Sequence, residues 1–444
     1  MKKVLAFAMA LAMVFSMAAC GNSSDSNSAN SGGGDEVETL KIGVVCPISG
    51  VSAIAGKYIT NGVEVVENEL GGKIDIKGKE YNIEFIYMDN EASEEKTTNV
   101  FQKLIEEEKV IAIVGPDMSK CALAAGPIAQ NAKCPIVTTF ATNTAVTEVG
   151  DYIFRACFID PFQGQMAAQY IWESGYETAS IMFNNADAYA TGLKDAFIES
   201  YEALGGQVLA IEEYSGSDVK DYNVQLTKLA AANAESVFFP NLLSELGLQI
   251  QQARSAGITC PIICGDSADT PEVGQVAGAA VDGVAYVSAF SAESTDPAAV
   301  EFVEKYTALH PDEQPNSNAE LAYEATMMVL YALQNADELT RDGVRDALAS
   351  IENLQLPSGP MTMGEDRNPI KGGVVMQYDA DGVSHYVSSI NLVAGEKLSN
   401  KIGAQCTDHQ KVTMSKIDHA NNTIDHGIPQ SKQCVYTAQL QAVN

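Results

Sequence analysis

The chain has 444 residues, enough for about two or three domains, and its 46% hydrophobic and 19% charged content suits large buried cores. Fifty-eight acidic against 27 basic side chains leave a formal net charge of −31. That balance excludes nucleic acid as a partner, because phosphate binding needs clustered Lys and Arg, and it suits solubility in an exposed, extracytoplasmic setting.

Lys2 and Lys3 precede an apolar run over residues 4–17, and Met17-Ala18-Ala19-Cys20-Gly21 follows. A basic start, a short apolar run and small residues before a cut define a secretory signal, too short for a comfortable transmembrane helix. The Cys after small residues resembles the bacterial lipobox, which implies that Cys20 carries a lipid and becomes the mature N-terminus. Residues 21–36 are rich in Ser, Asn and Gly and are expected to be a flexible tether.

Residues 37–47 read as a buried strand and residues 56–70 as an amphipathic helix stopped by Gly71-Gly72. Residues 81–89 are the next strand. Residues 94–108 are a helix with Val100, Leu104 and Ile105 on one face. The apolar run 111–114 meets the breaker pair Gly115-Pro116, then an Ala-rich helix, then a second apolar run at 135–138. This is a βαβ unit of a parallel sheet, and both following loops leave the carboxyl ends of their strands, where open α/β sheets bind ligands. Ser119 stands where the helix begins and Thr142 in the second loop. Taken singly they read as an N-cap and a loop residue; taken together they could cradle an anion.

Residues 152–158 are strand-like, and the alternation then restarts. Helices are expected over 163–174, 190–204, 222–232 and 246–256, with strands at 178–183, 207–214, 236–239, 261–264 and 283–288. Two runs of βα units define two similar α/β lobes. Residues 297–310, 318–335 and 341–350 are helical, and the apolar face of the second (Leu321, Ala325, Met328, Leu330) is core. Short strands and turns fill 357–390. There Asp379-Ala380-Asp381-Gly382 reads as a hairpin turn rather than a calcium loop.

Nine Cys are present. Cys46, Cys134 and Cys260 end apolar runs, where Cys behaves as a small buried hydrophobe. Cys260 and Cys264 lie roughly 13 Å apart in extended chain, beyond bridging distance. Residues 391–444 hold Cys406, Cys434 and three of the five His, in spacings that fit no metal motif. No metal or cofactor is expected. No G-x-G-x-x-G after a strand, Walker loop or G-x-S-x-G is present, so catalysis is not expected either.

From about residue 40 to residue 390 the chain resembles the type I periplasmic solute-binding proteins of ABC importers, in the leucine/isoleucine/valine-binding class. The resemblance rests on Lys41-Ile42-Gly43-Val44 with Ser49-Gly50, then Gly62, Asp89-Asn90, and Val114-Gly115 with Ser119. It continues through Ala141-Thr142-Asn143 with Thr147, Arg155, the 160–164 string, Tyr189-Ala190-Thr191-Gly192 and the 253–257 string. It implies two doubly wound, Rossmann-like lobes joined by a three-strand hinge, with ligand between them. The implied division is a lipoprotein signal at 1–20, a linker at 21–36, an N-terminal lobe at 37–158 and 289–357, a C-terminal lobe at 159–288 and 358–390, and an unmatched tail at 391–444.

The resemblance also implies ligand contacts. Ser119 and Thr142, with the adjoining Ala141, take the place of residues that hold an amino acid's α-carboxylate. Phe140 corresponds to a carbonyl that accepts from the ammonium, Tyr189 to an aromatic brought in by the second lobe, and Asp266 to an acid facing the ammonium. Ala55 and Leu242 replace family aromatics, which widens or reshapes the side-chain pocket. The expected partners are a small molecule, most simply an amino acid, the permease and ATPase subunits of a transporter, and the membrane through the lipid anchor, with the protein itself a monomer. The alternatives are a ligand-binding sensor of the same fold, or a binder of a non-zwitterionic amide or acid.

Overall fold

The computed structural model describes residues 37–390. Cys20, the leader, the linker and the 391–444 tail lie outside the described residues. The first lobe begins β1 (Thr39–Cys46), α1 (Ala53–Leu70), β2 (Lys73–Ile76), β3 (Lys79–Asp89) and α2 (Glu94–Gln102). It continues β4 (Ala112–Val114), α3 (Ser119–Asn131), β5 (Ile136–Thr138), α4 (Ala145–Glu148) and β6 (Ile153–Arg155). The second lobe runs α5 (Asp160–Glu173), β7 (Thr178–Asn184), α6 (Ala188–Ala203), β8 (Gln207–Tyr214) and α7 (Asn223–Ala232). Then come β9 (Ser236–Phe239), α8 (Leu243–Ser255), β10 (Ile262–Cys264), α9 (Pro271–Ala277) and β11 (Ala285–Ser288). The described residues end in α10 (Pro297–Leu309), α11 (Ser317–Asn335), α12 (Arg341–Ala349), β12 (Leu354–Leu356), β13 (Gly359–Met363), β14 (Pro369–Ile370), β15 (Gly373–Tyr378) and β16 (Ser384–Ile390).

Two large sheets and a small antiparallel one, β12-β13-β14, organise these elements. The first has the order β2-β3-β1-β4-β5-β6 and the second β16-β15-β11-β10-β9-β7-β8. In the first, only the β2–β3 pairing is antiparallel; in the second, β15 and β16 are added antiparallel beyond β11. Central strands such as β1 are covered on both faces, so Ile42–Cys46 are continuously buried instead of alternating. The chain crosses between sheets after β6, after β11 and before β15. Helix α11 returns to the first lobe and lies along α1.

That helix pair sits close enough that Gly62 faces the backbone of α11; a Cβ there would run into the Ala319 carbonyl. Gly62→Ala is therefore expected to push the helices apart and cost about 1–3 kcal/mol, measurable as a lower urea midpoint with an unchanged slope.

Local differences from the sequence reading have physical causes. The helix expected over 94–108 leaves α geometry at Gln102 and finishes as a π turn, Lys103–Glu107. The β2–β3 hairpin was not expected. Its turn, Lys77-Gly78, has both φ positive, the geometry whose twist matches two antiparallel strands. Helix α9 was also not expected, although Thr270 before Pro271 is a fair start signal; Thr270 accepts from the Glu272 amide. Residues 379–382 do form the β15–β16 turn, with Gly382 at φ +76. Cys46, Cys121, Cys134, Cys157 and Cys264 are buried free thiols, and Cys260 is a half-buried one.

Candidate functional site at the lobe interface

Strand β4 ends against Gly115, whose φ is +103 and where a Cβ would meet the Val45 carbonyl. The chain can turn there only as glycine. The turn delivers Asp117, Met118 and Ser119 to the sheet edge. Met118, not Ser119, is the residue before the first helical turn, and it makes no side-chain cap. Ser119 is thus not the N-cap. Its hydroxyl instead accepts from the Asn143 amide at 3.2 Å, tying the loop after β4 to the loop after β5.

The second of these loops is held from below by Arg155. This guanidinium is completely buried, and Nη1 donates to the Ala141 carbonyl (2.6 Å) and Nη2 to the Asn143 carbonyl (2.9 Å). Burial lowers its pKa, but two carbonyls and the nearby Asp160 favour its charge. Phe140 reaches forward into the space between the lobes. Ala141 and Thr142 are fully buried and do not line that space. The Thr142 hydroxyl lies beside the Asp160 carboxylate without a well-formed hydrogen bond. Burial pushes Asp160 up to about 7, against the pull of Thr142 and Arg155.

The second lobe supplies the facing wall. Asp187 caps α6 by accepting from the amides of Tyr189 (3.0 Å) and Ala190 (3.1 Å), which fixes Tyr189 in the first turn. The Tyr189 hydroxyl donates to Asp266 Oδ1 at 2.8 Å, and Gln163 Oε1 accepts from the Asp266 amide at 2.8 Å. Asp266 is 1% exposed, and its Oδ2 has no hydrogen-bond partner. Burial, reinforced by Asp160, pushes its carboxyl up to about 8 although the Tyr189 and Gln163 bonds oppose this. Asn143 Nδ2 donates to the Ala188 carbonyl at 2.8 Å and so joins the two lobes directly.

Ser119, Phe140, Tyr189 and Asp266 line one interlobe cavity of about 30 Å³. Ala55 and Leu242, which stand in place of the two family aromatics, line it too. Asp117 and Asn318 also line it; neither stood out in the sequence. A larger open groove of about 1010 Å³, bordered by Lys57, Tyr58 and Glu272, holds none of the predicted ligand residues.

Two doubly wound lobes with convergent polar side chains between them define a type I solute-binding protein, a receptor and not an enzyme. The chain belongs to the periplasmic binding protein family, whose profile matches residues 39–383. A leucine binding protein from Thermotoga maritima has 29% identity and a TM-score of 0.75, covering 79% of this chain and 99% of its own. The branched-chain amino acid substrate binding protein of Streptococcus pneumoniae, solved with isoleucine, has 29% identity and a TM-score of 0.72 over the same shares. An amino acid binding protein of Pseudomonas aeruginosa is 29% identical over 238 residues, 53% of this chain and 63% of its own length, less than two thirds of that relative. The chain is thus a solute-binding protein of the type I periplasmic class, similar to receptors for branched-chain amino acids. Among the described residues, no helix is long and apolar enough to cross a membrane.

Proposed function

We propose that the protein captures an amino acid as its zwitterion and hands it to a membrane permease. One observation carries this reading: a hydroxyl at the start of an α-helix in one lobe and a buried carboxylate in the other line the same cavity. The first amides of α3 have no partners within the helix and point where an α-carboxylate would sit, with Ser119 beside them. Thr142 and Ala141 support that wall from behind. On the facing wall Asp266, oriented by Tyr189, meets the ammonium together with the Phe140 carbonyl. Charge-assisted hydrogen bonds of this kind are worth about 1.5–3 kcal/mol each, so the site rewards a ligand that presents both ends. The protein works as a monomer tethered through a lipid on Cys20 by the 21–36 linker.

Calorimetry of the purified protein against the common L-amino acids tests this. At least one is expected to bind, and Ser119→Ala with Thr142→Ala is expected to weaken it by about 100-fold with the melting curve preserved. No heat with any amino acid, or full affinity in the double variant, would overturn the zwitterion reading.

A further inference from the structure

Asp117 is the second carboxylate of the interlobe cavity, and the ligand contacts assigned above do not use it. It follows the Gly115-Pro116 turn, is 4% exposed, and its Oδ1 has no hydrogen-bond partner. It comes from the first lobe, whereas Asp266 comes from the second, and no Lys, Arg or His lines the space between them. Lys120 lies in the first turn of α3 and draws the Asp117 carboxyl down, as do the amides of residues 117 and 118. Burial outweighs all three and leaves it at about 6, ionised at neutral pH. The remaining lining is apolar or neutral: Ala55, Met118, Leu242 and Leu243 among others.

Charge counting separates the possible ligands. A zwitterion with an aliphatic side chain brings one cation, which Asp266 takes, and one anion, which Ser119 and the helix start take. Asp117 would then be sealed against hydrocarbon with an oxygen unmatched, the arrangement that binding sites penalise most. A ligand with a second positive group at the end of a short side chain removes that penalty and balances the cavity's two acids. We propose that Asp117 sets the side-chain specificity of this receptor, and that its ligand is a short-chain diamino acid whose side-chain ammonium is held by Asp117. The inference rests on the zwitterion reading and adds the side chain to it. The competing role for Asp117 is purely structural, a negative charge favouring the start of α3.

Matched ligand pairs decide between them. In calorimetry on the full-length protein, L-2,4-diaminobutyrate is compared with L-norvaline, and L-ornithine with L-norleucine. Each pair differs only in a terminal ammonium against a methyl. The diamino member is expected to bind at least about 10-fold tighter in both pairs. Asp117→Asn keeps the shape and is expected to erase that preference; Asp117→Leu is expected to reverse it. The pair comparison needs no variant, so it stands even if a substitution harms folding. Equal or tighter binding of norvaline and norleucine, or a preference unchanged in Asp117→Asn, overturns the inference and leaves the zwitterion reading standing. Absence of binding by these four and by every common L-amino acid overturns both.

Discussion

Asp266→Asn is expected to lower affinity for the amino-acid ligand by more than about 100-fold, because the ligand's ammonium would be buried against a neutral amide. The same substitution has a second, opposite signature in the ligand-free protein. The folded-state pKa of Asp266 is raised from the ordinary 3.8 to about 8, chiefly by burial. A raised folded pKa means that the neutral acid is favoured in the fold. Its contribution to stability is full below pH 3.8 and is lost as pH rises through the window up to about 8, at no more than about 1.4 kcal/mol per unit. The asparagine variant should therefore melt at a less pH-dependent temperature than the parent, and higher than it at pH 8. Ligand affinity of the parent should climb over the same window, since the ammonium needs the carboxylate. A variant that binds normally, or a parent whose affinity is flat between pH 6 and pH 8, would remove Asp266 from the site.

Lys371→Met is expected to be the most destabilising single change described here. Lys371 Nζ donates to Glu324 at 2.6 Å and to the Ala156 carbonyl at 3.1 Å, and both charged side chains are buried. Glu324 also accepts from the Ser358 amide (2.9 Å) and hydroxyl (2.6 Å). Glu320 lies one helical turn away. Burial, then the charge of Glu324, pushes its carboxyl far up, so it stays neutral. Burial also works against charge on Glu324 and Lys371, but their mutual attraction prevails and keeps both ionised. Removing the lysine strands a buried carboxylate, which typically costs about 3–5 kcal/mol, and should lower Tm by roughly 5–15 °C. Lys371→Met combined with Glu324→Gln should recover more than half of that loss. A single variant as stable as the parent would show that the pair contributes nothing.

Much of the architecture was legible because parallel strands buried on both faces leave unmistakable apolar runs. Residues 42–45 and 111–114 are examples, separated by helices with an apolar stripe. What was missed is short or polar. The β2–β3 hairpin has four-residue alternation and a Lys-Gly turn, which is weak beside the helix before it. At the site, Ser119, Phe140, Tyr189 and Asp266 were named from the sequence and line one cavity. Their roles depend on partners distant in sequence. Whether Ser119 caps its helix is decided by the Asn143 amide 24 residues on, and Thr142 is turned toward Asp160 by the loop that Arg155 holds. Asp117 went unnoticed because an aspartate after Gly-Pro is an ordinary turn residue; only its burial beside the cavity sets it apart.

The Glu324–Lys371 pair lies where the first and third crossings meet. Ala156 follows β6 where the chain leaves the first lobe, and Lys371 precedes β15 where it enters the second sheet. Near the second crossing, Asp269 accepts from the Ser288 hydroxyl (2.9 Å) and from the Ser317 amide (2.9 Å) at the start of α11. Two rigid bodies joined by one strand can turn about three axes. Joined at three crossings, with the third held to the first by the Lys371–Ala156 bond and to α11 by the buried Lys371–Glu324 pair, they keep a single axis. Little of the free energy of capture is then spread over twisting and sliding; it is channelled into one angle. That angle alone would distinguish the loaded receptor from the empty one.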